Sequence, residues 1–150
     1  MKVALTGHQT ERLRGQEAKV NDWLEEVLNK INKENTDVEL LCGCATGSDE
    51  LFGMTAYWYP NFKLTLCKPV KGYRQGKIND LEKRANQEFC MAEEWKPGLD
   101  TVRDKFMVSN CDILLAVWDG IEAGGTWQTI KYARKLNKKI IYIDKEIFYS

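Results

Sequence analysis

The sequence carries no surplus of charge of either sign. Lysine and arginine together number 22, and aspartate and glutamate together also number 22. Non-specific binding to nucleic acid depends on a surplus of positive charge, because contacts with the phosphate backbone supply most of its affinity. A nucleic-acid partner is therefore not expected, and a DNA-associated module is a disfavoured function.

Long apolar segments are absent as well. The first residues, MKVALTGHQ, become polar too early for the apolar part of a secretion signal. No apolar run approaches the roughly 20 residues that a transmembrane helix needs. We therefore expect a cytoplasmic protein that has no membrane partner.

Metal-binding side chains are few. The one histidine, His8, is far along the chain from Cys42 and Cys44, and a C-x-C pair alone is not a full zinc ligand set. The cysteines are five in number, and an odd set within apparent strands and helices is typical of buried residues in a reducing compartment. We expect no metal site and no cofactor.

A chain of 150 residues is typical of a single domain, here residues 1–150, and it contains no internal repeat or linker. Short apolar runs predict five strands, at residues 3–5, 38–42, 62–67, 113–118 and 140–143. The third run alternates with polar residues, so it is expected toward a sheet edge. Three- and four-residue apolar spacing predicts helices over 20–31, 50–59, 78–95 and 127–136, and a capping box of Thr101 and Asp104 predicts a short helix over 101–107.

Strands that alternate with helices predict an α/β protein, a Rossmann-like three-layer sandwich with a five-stranded parallel sheet. Right-handed crossovers favour the strand order 3-2-1-4-5. In such a sheet, ligands bind beyond the carboxyl ends of the strands, where the strand order reverses. We expect this point between the first and fourth strands.

Three polar, glycine-rich loops are expected to converge there. Glycines allow the backbone to approach a ligand closely, and the start of a helix offers unpaired amides. Phosphate is therefore the ligand expected at the loop after the fourth strand. The alternative is that Gly124 and Gly125 only make a tight turn. Asp49 has two open roles, a helix cap or an acceptor for a ribose hydroxyl, and His8 is either a ligand contact or an ordinary loop residue. The candidate ligand-binding residues in these loops are Gly7, His8, Gln9, Gly43, Cys44, Ala45, Thr46, Gly47, Ser48, Asp49, Trp118, Asp119, Gly124, Gly125, Thr126 and Trp127.

Several of these segments together resemble the SLOG superfamily. They are TGH near the start, CGCATGSDELF, the R-x-x-x-M of Arg103 and Met107, and then CD, AVWDG and GGTWQTIKYA. That group includes the Lonely Guy phosphoribohydrolases, Smf-type DNA-processing proteins and the nucleotide-sensing domain of Thoeris defence proteins. The likeness covers nearly the whole chain and is greatest to small stand-alone YspA/YpsA-like proteins of bacteria and phages.

The resemblance implies a Rossmann-like domain that binds a nucleotide or nucleotide derivative through the loops 43–49 and 124–126. Lonely Guy enzymes pair an arginine in R-x-x-x-M with a glutamate in G-G-x-G-T-x-x-E to cleave a base from ribose 5-monophosphate. Arg103 matches the arginine and is the candidate ligand-binding and catalytic residue, whereas Thr129 stands at the glutamate position. Asp119 and Glu122 are the nearest carboxylates in sequence that are available as substitutes.

Binding is therefore favoured over hydrolysis, because a hydroxyl cannot replace a carboxylate in stabilising an oxocarbenium-like centre or in activating water. The expected function is a sensor or sequestering protein for a nucleotide, and the alternative is a phosphoribohydrolase-like enzyme. Trp118 and Trp127 have two open roles, stacking on a base or packing in the core. The family likeness and aromatic residues such as Trp58, Tyr59 and Trp95 favour a homodimer or larger homo-oligomer.

Overall fold

Six strands form one sheet, and five helices cover its two faces. The structure is a computed structural model that describes residues 1–150. The strands are β1 (Lys2–Gly7), β2 (Glu39–Cys42), β3 (Lys63–Lys68), β4 (Gln87–Cys90), β5 (Ile113–Val117) and β6 (Lys139–Tyr142). The helices are α1 (Glu17–Glu34), α2 (Ser48–Met54), α3 (Ile78–Arg84), α4 (Leu99–Asn110) and α5 (Gly125–Lys135), and 3-10 turns span Thr10–Leu13, Thr55–Tyr57 and Lys145–Phe148.

The strand order is β4-β3-β2-β1-β5-β6, and every neighbouring pair is parallel. This confirms the predicted α/β class, with a parallel sheet and helices on both sides. The five predicted strands keep their predicted relative order. The number of strands was wrong, because a sixth strand, β4, extends the sheet beyond β3.

The prediction of one helix over residues 78–95 is wrong. α3 ends at Arg84, and Ala85 takes an extended conformation. Asn86 then attaches the chain to β3, since its backbone N–H donates to Leu64 O at 2.8 Å and its Oδ1 accepts from Leu64 N at 2.9 Å. As an edge strand, β4 buries few side chains, so it lacks the apolar alternation that marks a strand. Apolar residues recur at helical spacing through this segment, and this pattern led to the prediction of a helix.

The alternating sequence of β3 predicted a position toward a sheet edge, and β3 is second from the edge, covered on its outer side by β4. All of its residues except Lys63 are buried. One of them is a lysine: Lys68 Nζ lies 2.6 Å from Glu82 Oε2 and 2.7 Å from Glu88 Oε1, so its charge is paired on two sides. Paired charge of this kind is what makes a buried lysine tolerable.

The helix that precedes β5 is longer than predicted. α4 spans 12 residues and starts at Leu99, after Gly98 with φ of 89°, so Thr101 and Asp104 do not form its cap. None of the five helices combines the length and the apolar character that crossing a membrane requires.

The core has two parts, one on each face of the sheet. On the first face α1, α2 and α3 cover alternate residues of the strands, and on the second face α4 and α5 cover the residues between them. In β1, for example, Val3 and Leu5 belong to the first part and Ala4 to the second. Four of the five cysteines are buried and all five are free thiols, in keeping with packing roles; the exception to burial is Cys90 in β4.

The loops after β1 and β2 lock together at the carboxyl edge of the sheet. Ser48 donates to the carbonyl of His8 twice, from its backbone N at 3.1 Å and from Oγ at 2.7 Å. Gly47 has φ of 82°, and a Cβ built on it would lie 2.6 Å from Thr10 N and 2.7 Å from Gln9 C. Glycine is therefore required at position 47 by backbone packing within the protein.

We expect Gly47→Ala to destabilise the protein by about 3 kcal/mol or more, because the methyl group adds a clash with backbone to the strain of a positive φ. Gly72→Ala is the matched control, since Gly72 also has a positive φ, 78°, but has open space around it. The control should cost roughly 1–2 kcal/mol. Urea unfolding of both variants measures the two free energies, and equal losses would contradict the assigned loop contact.

Candidate functional site

A cleft of about 400 Å³ opens at the carboxyl ends of the strands, beside β1. β1 is the point at which the strand order reverses, because β2 lies on one side of it and β5 on the other. The volume falls within the ~300–1,000 Å³ typical of small-molecule sites. The residues that line it are Leu5, Thr6, Gly7, His8, Gln9, Glu11, Arg12, Asp49, Asp100, Arg103, Asp104, Gly125 and Thr126.

The start of α5 forms one wall of the cleft. Gly124 precedes the helix with φ of 92°, whereas a Cβ built on Gly125 would meet open space. The backbone amides of Gly125, Thr126 and Trp127 donate to no carbonyl of the preceding loop and to no side chain, and the first amide that is paired in this helix is that of Gln128, which donates to Gly124 O. Unpaired amides at a helix start bind anions, helped by the helix dipole.

Arg103 on α4 forms the facing wall. It is 7% exposed, its Nη1 donates to Gly43 O at 2.9 Å, and its Nε donates to Asp104 Oδ1 at 3.1 Å. Burial opposes its charge, but the carboxylates of Asp104, Asp49 and Asp100 outweigh burial and raise its pKa. Its Nη2 group makes no hydrogen bond with the protein, so it is available to an anionic ligand.

Three carboxyl groups surround Arg103 in the cleft: the exposed Asp100, whose Oδ1 lies 3.7 Å from Arg103 Nη1, and the less exposed Asp49 and Asp104. Burial raises the pKa of Asp49 to about 7, against the opposing charge of Arg103, although its Oδ2 also accepts a hydrogen bond from Ala45 N at 3.2 Å. Burial also raises the pKa of Asp104, again opposed by Arg103. The cleft thus holds a buried cation beside carboxyl groups whose pKa values are raised by burial, that of Asp49 to about 7.

Asp104 also contacts Thr129 on α5. Thr129 Oγ1 lies 3.3 Å from Asp104 Oδ2 and 2.9 Å from Gly125 O, within donating distance of both. Sequence reasoning missed Asp104, because its spacing from Thr101 indicated a helix cap. The signal that could have found it is its position next to Arg103 on the same helix.

Asp119 lies behind the cleft and not in it. It is 1% exposed and accepts two hydrogen bonds from Arg12, from Nε to Oδ2 at 2.9 Å and from Nη2 to Oδ1 at 3.1 Å. Burial works to raise its pKa, but the bonds from Arg12 and from Ile121 N outweigh burial and lower it. Glu122, the other proposed substitute, is exposed and does not line the cleft.

His8 connects Asp119 to the cleft. Its Nε2 lies 3.0 Å from the backbone N of Asp119 and 3.3 Å from Asp119 Oδ1, and its Nδ1 lies 3.3 Å from Thr126 Oγ1. The shorter contact, with a backbone N–H that can only donate, favours the neutral ring with its proton on Nδ1. Burial lowers the pKa of His8, against the attraction of Asp119, which favours this neutral form. When His8 donates to Thr126, the hydroxyl proton of Thr126 is free to point into the cleft.

The loop of residues 43–49 contributes mainly Asp49 to the cleft. A Cβ on Gly43 would lie 2.7 Å from Asp49 Oδ2 and 3.3 Å from Arg103 Nε, so glycine lets these two side chains approach the backbone. The first amide of α2, that of Ser48, donates to His8 O. The other predicted residues of this loop do not line the cleft; they are Gly43, Cys44, Ala45, Thr46, Gly47 and Ser48.

Trp118 and Trp127 stack on each other, outside the cleft. Their ring centroids are 5.3 Å apart with an interplanar angle of 8°, and Trp118 Nε1 donates to Ile121 O at 2.9 Å. Arg134 lies over Trp127, 5.3 Å from the ring centroid. Of the predicted residues, the cleft therefore brings together Gly7, His8, Gln9, Asp49, Arg103, Gly125 and Thr126. It adds six residues that sequence reasoning did not select, which are Leu5, Thr6, Glu11, Arg12, Asp100 and Asp104.

The parallel sheet, the helices on both faces and the cleft at the strand-order reversal define a Rossmann-like α/β protein. No protein-family model matches the sequence, and no curated protein matches it. The structure is similar to the X-ray structure of TM1055, a target of the Northeast Structural Genomics Consortium, with a TM-score of 0.62. The match covers 93% of this chain and 71% of that chain at 15% sequence identity, so the similarity concerns the fold.

We expect Asp49→Asn to be more stable than the wild type above pH 8. The wild-type carboxyl keeps its proton to about pH 7 when folded but ionises near pH 4 when unfolded, so the wild-type free energy of unfolding falls as the pH rises through this window. This difference in pKa between the folded and unfolded states corresponds to a loss of wild-type stability on the order of 4 kcal/mol, which the neutral amide of the variant avoids.

Thermal and urea unfolding between pH 5 and pH 9 measures the free energy of unfolding of the variant and of the wild type. The difference between the two should grow in favour of the variant up to about pH 7 and then stay level. The exposed Asp22→Asn on α1 is the control and should show no such trend. A difference that does not change with pH would contradict the raised pKa of Asp49.

Proposed function

We propose that this protein binds a nucleotide or nucleotide-derived ligand in the cleft and acts as a sensor or sequestering protein for it. One observation carries the proposal: the unpaired amides that begin α5 and the free Nη2 of Arg103 lie on the walls of one cleft. Both are donors suited to the oxygens of a phosphate. The Thr126 hydroxyl adds a third donor beside them.

The carboxyl groups favour a ligand that is more than a phosphate. Asp49 and Asp104 would repel a bare anion, but they accept hydrogen bonds from hydroxyl groups. Vicinal hydroxyls of a ribose supply such donors. A phosphorylated ribose therefore matches the cleft better than either an inorganic anion or an uncharged sugar.

The resemblance of the sequence to the SLOG superfamily supports the same function, since members of that group bind nucleotides. A homodimer or larger homo-oligomer is part of the proposal. Large apolar side chains are exposed on the surface, among them Trp95, which is 70% exposed, and Trp58, which is 45% exposed. Exposed residues of this kind are typical of interaction surfaces when they cluster.

We expect Gly125→Val to lower the affinity for a nucleoside monophosphate by about a hundredfold, which corresponds to about 2.8 kcal/mol. The added side chain would occupy the space in front of the α5 amides, and the fold should tolerate it because Gly125 has open space and no positive φ. Calorimetric titration with the four common nucleoside 5′-monophosphates measures the loss.

The matched control is Ala18→Val on the exposed face of α1, which adds the same side chain far from the cleft and should bind as the wild type does. Gly125→Ala should give an intermediate loss. A folded Gly125→Val protein that keeps wild-type affinity would rule out the start of α5 as the phosphate site.

A second candidate function is hydrolysis of the bound nucleotide. The observation that favours it is Asp49, because a pKa of about 7 is what a general acid or base needs at neutral pH. Asp104 is a second carboxyl beside Arg103, in contact with Thr129, where the resembling hydrolases have glutamate. Binding remains the favoured function because the hydroxyl of Thr129 cannot replace that glutamate in stabilising an oxocarbenium-like centre or in activating water.

We expect that binding of a nucleotide raises the melting temperature of the protein and that the bound nucleotide stays intact. Chromatography after incubation with excess protein tests for free base, ribose 5-phosphate or inorganic phosphate. Release of product by the wild type that is reduced about 100-fold or more in both Asp49→Asn and Asp104→Asn would establish the hydrolase instead. Asp22→Asn again serves as the matched control and should not change the outcome.

A further inference from the structure

A second hollow, of about 350 Å³, opens next to the cleft between α4 and α5. It shares Asp104 and Gly125 with the cleft, so the two hollows meet at these residues. We call the second hollow the side lobe. Its lining consists of Thr101, Asp104, Lys105, Gly125, Gln128, Thr129 and Tyr132.

One wall of the side lobe is the aromatic ring of Tyr132. Tyr132 packs against the part of the core beneath α4 and α5, and its hydroxyl lies 3.2 Å from Ser109 Oγ. Lys105 Nζ stands 5.3 Å from the ring centroid, at the end of an exposed and flexible side chain. A planar group that enters the lobe can displace this lysine and stack on the ring.

The other notable group is the carboxamide of Gln128. It is exposed, and it makes no hydrogen bond within the protein. A carboxamide presents a donor and an acceptor side by side, which is the pattern that pairs with the edge of a nucleobase. Gln128 also lies one helical turn from Gly124 and Gly125, at the junction with the cleft.

We propose that the side lobe holds the base of the nucleotide, with the phosphate at the start of α5 and the ribose beside Asp104. This inference rests on the proposed function and adds which part of the ligand each residue recognises. The lobe suits a base better than a second phosphate, since its one cation, Lys105, shares the space with the carboxyl of Asp104. Gln128 and Tyr132 are thereby assigned as the residues that read the base.

Calorimetric titration of the wild type with ribose 5-phosphate and with the four nucleoside 5′-monophosphates tests the assignment. At least one nucleotide should bind on the order of tenfold or more tightly than ribose 5-phosphate. Gln128→Ala and Tyr132→Ala should remove most of this preference. Neither variant should change the affinity for ribose 5-phosphate by more than about twofold, because that ligand does not reach the lobe.

Two controls separate recognition from folding. Tyr132→Phe keeps the ring and loses only the contact with Ser109, so it should retain the preference for the nucleotide. Lys131→Ala changes the neighbouring position on α5, where Lys131 lies over Trp127 and away from the lobe, and should bind as the wild type does. Melting temperatures confirm that each variant is folded.

The outcomes distinguish this inference from the proposed function. If ribose 5-phosphate binds and no nucleotide binds more tightly, the side lobe does not hold the base, although the phosphate site stands. If the preference survives in Gln128→Ala and Tyr132→Ala, the base binds elsewhere. If neither ribose 5-phosphate nor any nucleotide binds the wild type, the proposed function fails and this inference fails with it.

Discussion

The cleft depends on the buried guanidinium of Arg103. A cation that is 7% exposed is tolerated only when its charge is matched, and here the carboxyl groups of Asp104 and Asp49 supply the match, while Nε and Nη1 donate to Asp104 and to the carbonyl of Gly43. The same contacts join α4 to the loop after β2. They also hold the carboxyl groups of Asp49 and Asp104 close together. One side chain, Arg103, therefore determines both the arrangement of the acidic groups in the cleft and its attraction for anions.

The opposite wall is held by a separate set of contacts around Asp119. Its carboxylate accepts from Arg12 and from the backbone N–H of Ile121, its own backbone N–H donates to His8, and its carbonyl accepts from the hydroxyl of Tyr149 at 2.8 Å. Arg12 Nη1 also donates to Ala123 O at 3.1 Å, just before α5. These bonds fix the loop that presents the α5 amides, so an anion would meet donors already in place, which lowers the cost of binding.

Sequence patterns predicted the fold well because buried parallel strands leave continuous apolar runs, as in residues 113–117. β4 was missed because an edge strand buries too little to leave such a run. At the site, Arg103 and Gly125 were found from motifs, whereas Asp104 was hidden by an apparent capping box. The position of Asp119 at the end of β5 predicted that it lines the cleft. Its carboxylate instead turns inward to Arg12, a partner 107 residues away that the local sequence does not reveal.

The central position of β1 has a consequence for how the chain folds. β1 pairs with β2 on one side, but its other neighbour is β5, and Lys2 N reaches its acceptor, Asp112 Oδ2, across a separation of 110 residues. Until the ribosome has released β5, one edge of β1, which is one of the two central strands, has no partner and is exposed to wrong pairing. Closure of the sheet at β5 is therefore expected to be late and slow relative to the local β1–α1–β2 unit. The ligand cleft, which needs α4, β5 and α5 together, exists only after that step.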